Sequence, residues 1–259
     1  MSYIEDIQSF SPLSLNELIK TAKKYVPKEY KRMPWAYPGL DHGVAILDNE
    51  EQLCCYLAAY GEMHKGKLGC AFGKFPFDKI DRNIEIIDWG CGQGLASLYM
   101  IDGLRYNNKI NRLQKVTLIE PSSAALSRAK LHLQQAVSED VFIETLNCYL
   151  PATNPTEQLD IIGGLHIEEP ICVHLFSNIL DIPSIDLKEL AYLVDSSGYI
   201  HYFICVGPVN FGNDRLAAFP KYFNIQKNNV FIDFKSGQYK QLENGKWYSC
   251  VAKGFQLIR

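Results

Sequence analysis

Asp88-Trp89-Gly90-Cys91-Gly92-Gln93-Gly94 is the stretch on which the fold turns. Its first residues complete a short β-rich run, Ile84-Glu85-Ile86-Ile87-Asp88-Trp89, and after Gly94 the chain passes into a helical pattern through Leu104. Strand, glycine loop and helix make the unit from which open α/β sheets are wound, and such sheets bind ligands at the carboxyl ends of their strands. Glycines in that loop let the backbone turn sharply and approach a ligand without side-chain clash.

Downstream the unit repeats. Val116-Thr117-Leu118-Ile119-Glu120 reads as a second strand, followed by a helix from Ser122 to about Ala136 with Ser122 or Ser123 as its cap. Val141 to Leu146 reads as a third strand. The fourth has two candidates, residues 159–163 and 171–176; the second is favoured, which leaves residues 150–169 as an insertion over the sheet's carboxyl edge. A helix from Ile185 to Val194, a turn at Ser196-Ser197-Gly198 and a fifth strand from Tyr199 to Val206 follow. Strands alternating with helices of this length imply parallel pairing and right-handed crossovers. The chain closes with two β-like runs, Val230 to Lys235 and Trp247 to Ile258, and Asn244-Gly245 between them is a hairpin signal.

Upstream, Ser14 and Glu17 stand in the relative positions of a capping box ahead of an amphipathic helix over residues 14–25. A second helix opens at Asn49-Glu50-Glu51 and runs through Met63, after which Gly66, Gly69, Gly73 and Pro76 predict a loop. The expected organisation is a helical extension or lid over residues 1–80 and a ligand-binding domain over residues 81–259. With 47% hydrophobic and 21% charged residues the chain has the balance of an ordinary folded protein, so disordered and fibrous classes are excluded. A formal net charge of −3 argues against a surface committed to nucleic-acid phosphate. An acidic start where a signal peptide would be basic, and no apolar run of membrane length, predict a cytoplasmic protein. None of the eight cysteines is spaced as Cys-x-x-Cys, which predicts buried free thiols and no zinc cluster.

The loop's chemistry is narrower than its shape. A dinucleotide fingerprint wants glycine at 90, 92 and 95, but position 95 is leucine and the spacing is Gly-x-Gly-x-Gly. Asp88 would face a pyrophosphate with like charge, whereas it suits a cationic ligand. Glu120, at the end of the second strand, stands where a carboxylate can accept hydrogen bonds from a ribose diol. These residues resemble the class I S-adenosylmethionine-dependent methyltransferase superfamily, whose first motif reads acid-x-Gly-x-Gly-x-Gly with a second acid ending the next strand.

The resemblance covers about residues 83 to 206, together with the closing hairpin signal. It implies a doubly wound, mainly parallel, seven-stranded Rossmann-like sheet ending in an antiparallel hairpin, with S-adenosylmethionine as cofactor. It also implies that Asp88 holds the methionyl amino end, directly or through water. Gly90, Cys91, Gly92 and Gly94 would form the floor, with Glu120 and Pro121 at the ribose. The residues after strand three that would lie beside adenine are Asn147 and Cys148, an amide where the family often has an acid. Asn178 and Asp181 lie in the segment that passes the methyl group in many relatives, and it lacks an Asn-Pro-Pro-Tyr-type signature. Trp35 and Tyr37 are candidates for the acceptor pocket, because methyl transfer needs a dry, aromatic cover.

Several features have a plainer reading. His174 alternates within an apolar strand and reads as a satisfied core histidine. His166, Glu168 and Glu169 lack a second histidine at metal spacing and read as a solvated loop. The lysines between Lys20 and Arg32, interleaved with Tyr25, Tyr30, Trp35 and Tyr37, fit either a solvated helix face leading into a lid or an RNA-contacting patch. The acceptor stays open, with a small molecule slightly ahead of RNA or protein. A non-catalytic binding module and a nicotinamide-dependent oxidoreductase are the alternatives, and neither oligomeric state nor a general base is legible.

Overall fold

The computed structural model describes residues 2–41, 46–150, 170–194, 200–209, 213–223, 225, 227–240, 245 and 247–258. Seven strands form one sheet: β1 (Ile84–Trp89), β2 (Leu113–Ile119), β3 (Phe142–Leu146), β4 (Ile171–Ser177), β5 (Ile200–Pro208), β6 (Val230–Lys240) and β7 (Trp247–Ile258). They lie in the order β3-β2-β1-β4-β5-β7-β6. The first five pair in parallel, and β7 runs antiparallel to both β5 and β6. This is the doubly wound sheet with a closing hairpin, and its direction of winding reverses between β1 and β4. Strand four occupies the favoured position; the alternative at 159–163, the inferred insertion and the turn at 196–198 lie outside the described residues.

The strands alternate as period-2 geometry requires. On one face Ile84 and Ile86 of β1, Val116 and Leu118 of β2, Val173 and Leu175 of β4, and Tyr202 and Ile204 of β5 join a single apolar cluster. On the other, Ile87, Trp89, Cys172, Phe176, Phe203 and Cys205 make a second. In that second layer Trp89 and Phe176 stack at 5.8 Å, and Phe203 and Phe255 at 4.4 Å. His174 lies among these rings, accepting from Trp89 Nε1 at Nδ1 and facing His201 Nδ1 through Nε2, so it is a buried, bonded core histidine.

Helices α1 (Tyr3–Gln8), α2 (Leu15–Lys24), α3 (Glu50–Phe72), α4 (Leu95–Tyr106) and α5 (Ser123–Ala136) pack on the first face; α6 (Leu187–Val194) and α7 (Asn213–Ala218) belong to the second. The capping box of α2 is present, with Ser14 Oγ accepting from Glu17 N, and Ser122 caps α5 by accepting from Ala125 N. Helix α1 has a capping box of its own, Ser2 with Glu5, that the sequence reading passed over. Helix α6 begins at Leu187 rather than Ile185, because Asp186 Oδ1 takes the N–H groups of Lys188 and Glu189.

The largest departure is α3. Gly66 and Gly69, predicted to lie in a loop after Met63, are inside it; it runs to Phe72, and Gly73 is its C-cap. Two of its glycines face close neighbours: a β-carbon at Gly61 would lie 2.9 Å from Ile19 Cγ1, and one at Gly69 would lie 3.1 Å from the Tyr99 hydroxyl. Helix propensity disfavours glycine by about 1 kcal/mol, and here close packing against α2 and α4 outweighs it. Gln93, in the glycine loop, rivets this layer to the sheet: its Nε2 donates to Leu53 O of α3, and its carbonyl is bonded to His132 of α5. The eight cysteines are free, six of them buried. Among the described residues, no helix is long and apolar enough to cross a membrane.

Candidate functional site

At the carboxyl edge of β1, β2 and β4, where the winding reverses, a cavity of about 320 Å³ opens, which is where an open α/β sheet binds its ligand. Gly90, Cys91 and Gly92 form one side. All three loop glycines have positive φ, and at Gly90 and Gly94 a side chain would also strike Ile179 or Leu133. Gly92 differs: at φ +52°, its missing β-carbon would meet no atom within 4 Å, so the space above it is open.

Glu120 stands at the end of β2 and lines the same cavity. Its Oε2 accepts from Gly92 N and its Oε1 from Ser122 N, each at 3.0 Å. The carboxylate therefore clamps the glycine loop to the β2–α5 turn. Burial raises its pKa, and the two N–H groups oppose that shift. A carboxylate offers about four lone-pair sites, so two bonds leave acceptor capacity for a ligand.

Asp88 lies behind the loop. It points to the α4 face, fully buried, with Oδ2 accepting from Ser97 N and Oγ, and it is not part of the cavity wall. Burial raises its pKa to about 6, against the bonds from Ser97. Its Oδ1 has no hydrogen-bond partner among the described residues.

Past β3, Asn147 does not line the cavity; its amide donates to the carbonyls of Glu120 and Pro121 at 2.9 Å each and so holds the loop in place. Cys148 packs into the second apolar layer. The wall there is made instead by Tyr149 and Leu150. Trp35 and Tyr37 are not brought to this cavity either: Trp35 is exposed, and Tyr37 packs on Tyr30 and donates to Glu51. From the same extension, Ile46, Leu47, Tyr56 and His64 form the cover.

Asn178, after β4, does line the cavity, with a left-handed backbone at φ +61° and its N–H bonded to Val206 O. Its side chain meets Lys67 and His64, both from α3. Burial pulls Lys67 down to about 8, with Asp181 opposing, and burial together with the Lys67 charge holds His64 well below its usual 6.5. Asp181 therefore acts beside Lys67 and is not in the wall. Sequence reasoning missed Tyr56, His64 and Lys67; their signal was Tyr56, Tyr60 and His64 at four-residue spacing on one helix stripe. Among the described residues, no group of three or more His, Cys, Asp or Glu is gathered for a metal ion.

No protein-family model and no curated protein sequence matches the chain. Solved structures are similar in fold. A SAM-dependent methyltransferase from Leishmania major aligns at 10% identity over 91% of this chain and 82% of its own, TM-score 0.40. One from Aquifex aeolicus aligns at 10% identity over 75% and 96%, TM-score 0.40. M. capricolum TrmK in complex with S-adenosyl-homocysteine aligns at 14% identity over 71% and 68%, TM-score 0.36. Likeness at this level carries no statement of activity.

Proposed function

We propose that this chain is an S-adenosylmethionine-dependent methyltransferase acting on a small molecule. One observation carries the choice of cofactor: three of the glycine loop's N–H groups are already engaged. Cys91 N donates to Ile119 O, Gly92 N to Glu120 Oε2 and Gly94 N to Cys91 O. A pyrophosphate needs such N–H groups free. That counts against a nicotinamide dinucleotide.

The residues present fit the cofactor. Glu120 has acceptor capacity for ribose hydroxyls, and the open space over Gly92 admits a ligand against the backbone. When bound, the cofactor supplies a methyl group on a cationic sulfur, an electrophile that needs no acid to leave. The protein's part is then placement and exclusion of water. Leu47, Leu95, Ile179, Ile182 and Ile185 give the cavity its apolar wall for that task.

A small acceptor is favoured because part of the basic-aromatic segment is engaged within the chain. Lys24 pairs with Asp6 and Lys23 with Glu62; Lys31 donates to the carbonyls of Lys23 and Lys24, and Tyr25 to that of Ser2. Calorimetric titration of the full chain tests the reading. S-adenosylhomocysteine should bind and NAD+ should not; the reverse result, or no binding of either, would refute it.

A further inference from the structure

The hydrogen bonds along the α3 side of the cavity run in one direction. They start at Lys67, 3% exposed, whose ammonium can only donate. Its partner is Asn178 Oδ1, and this contact fixes which way the amide points. Asn178 Nδ2 therefore faces His64 Nδ1 and Ser177 Oγ, each at 3.1 Å, and donates to both. With Nδ1 accepting, the proton of neutral His64 sits on Nε2, 2.9 Å from the Tyr56 hydroxyl oxygen, which accepts in turn. The order is Lys67 to Asn178, Asn178 to His64 and Ser177, His64 to Tyr56.

The chain ends in two hydroxyl groups whose oxygens already accept. Each keeps a proton to give, and neither has another hydrogen-bond partner among the described residues. Tyr56 and Ser177 both line the cavity. A carboxylate has an oxygen for each of the two donors, whereas a ligand ammonium would have only the one remaining lone pair of each hydroxyl, beside the Lys67 charge. The same logic removes His64 as a general base, because its one lone pair is spent on Asn178.

We propose that Tyr56 and Ser177 form a carboxylate-binding subsite, oriented from behind by Lys67, Asn178 and His64. The inference rests on the cofactor reading above, under which the carboxylate has two sources: the methionyl end of the cofactor, or a carboxylate on the methyl acceptor. Lys67 has Asp181 as its charged neighbour, so the wall acts through directed donors rather than a bare cation.

The test is calorimetry on the full chain and on Tyr56→Phe, Ser177→Ala and Lys67→Met, each checked for an intact melt. The ligands are S-adenosylhomocysteine, 5′-methylthioadenosine (which lacks the amino-acid end) and benzoate. If the carboxylate is the cofactor's, each hydroxyl variant loses about tenfold or more for S-adenosylhomocysteine and nothing for methylthioadenosine. If it is the acceptor's, both nucleosides bind unchanged and the loss falls on benzoate titrated onto the S-adenosylhomocysteine complex. Lys67→Met frees the amide to turn, and should weaken the same ligand. Variants that leave all three ligands unchanged, or that weaken both nucleosides alike, overturn the subsite. Wild-type protein that binds neither nucleoside would instead refute the cofactor reading, and benzoate on the unliganded chain would still test the wall.

Discussion

Replacing Glu120 with glutamine probes both the clamp that its carboxylate forms and the ligand role proposed for it. In the native chain each oxygen accepts one backbone N–H, from Gly92 and from Ser122, at 3.0 Å. An amide keeps one acceptor oxygen and presents an NH2 to the other N–H, so one bond is lost and two donors face each other. Hydrogen bonds to a charged group contribute about 1.5–3 kcal/mol, and an orphaned donor costs about 1–3 kcal/mol. The bond here is partly solvated, so about 1–2 kcal/mol of stability is expected to go, a drop of a few degrees in Tm at roughly 2–4 °C per kcal/mol. Ligand binding should suffer more, because the ribose-facing acceptors become half neutral amide: about 10- to 100-fold for S-adenosylhomocysteine by calorimetry. Glu120→Ala should not be silent in the fold, since the side chain is a structural clamp as well as a proposed ligand group. A glutamine variant with native Tm and native affinity would refute both roles.

Two glycines distinguish strain from occlusion. Gly92→Ala and Gly94→Ala both force a side chain into left-handed backbone, at φ +52° and +80°, for about 1–2 kcal/mol. Only Gly94 adds crowding, with Leu133 Cδ1 at 3.0 Å and Ala129 Cβ at 3.3 Å. Thermal melts should therefore rank Gly94→Ala the less stable, while titration ranks Gly92→Ala the weaker binder; the opposite order would mean that the space over Gly92 is not ligand space. Stability should also fall on acidification. Burial depresses His64 and His174 well below 6.5, with Lys67 and His201 adding to it, and takes His132 down to about 3. A depressed histidine contributes stability above its unfolded pKa and loses it as pH falls, by roughly 1.4 kcal/mol per pH unit for each net proton. Asp88, raised to about 6, acts oppositely, its contribution present at low pH and lost as pH rises through that value. Burial also raises Glu85, Asp102 and Glu120, which act with Asp88. Denaturant midpoints are expected to decrease from pH 7 to pH 5.5, where the three histidines take up protons on unfolding; a flat or rising profile would mean that the buried carboxyls outweigh the buried rings.

What could be read in advance followed from local rules. The β-rich runs, the Ser14–Glu17 cap and the strand-loop-helix at Asp88–Gly94 are set by backbone period and by groups a few residues apart, and the structure has them where the sequence puts them. Glu120 at the end of the second strand was legible for the same reason. Other features depended on packing between distant segments. Gly66 and Gly69 do not break α3, because its burial against α2, α4 and the sheet outweighs a local preference of about 1 kcal/mol for each. The ligand role of Asp88 is what the resemblance implies; that Ser97 N and Oγ donate to it beneath the loop is a matter of packing against α4. The wall of Tyr56, His64, Lys67 and Asn178 joins residues 111 and 114 positions apart in its Asn178 contacts. No periodicity encodes that meeting; it exists because α3 is buried beside the carboxyl end of β4, and the polar groups carried there bond to one another.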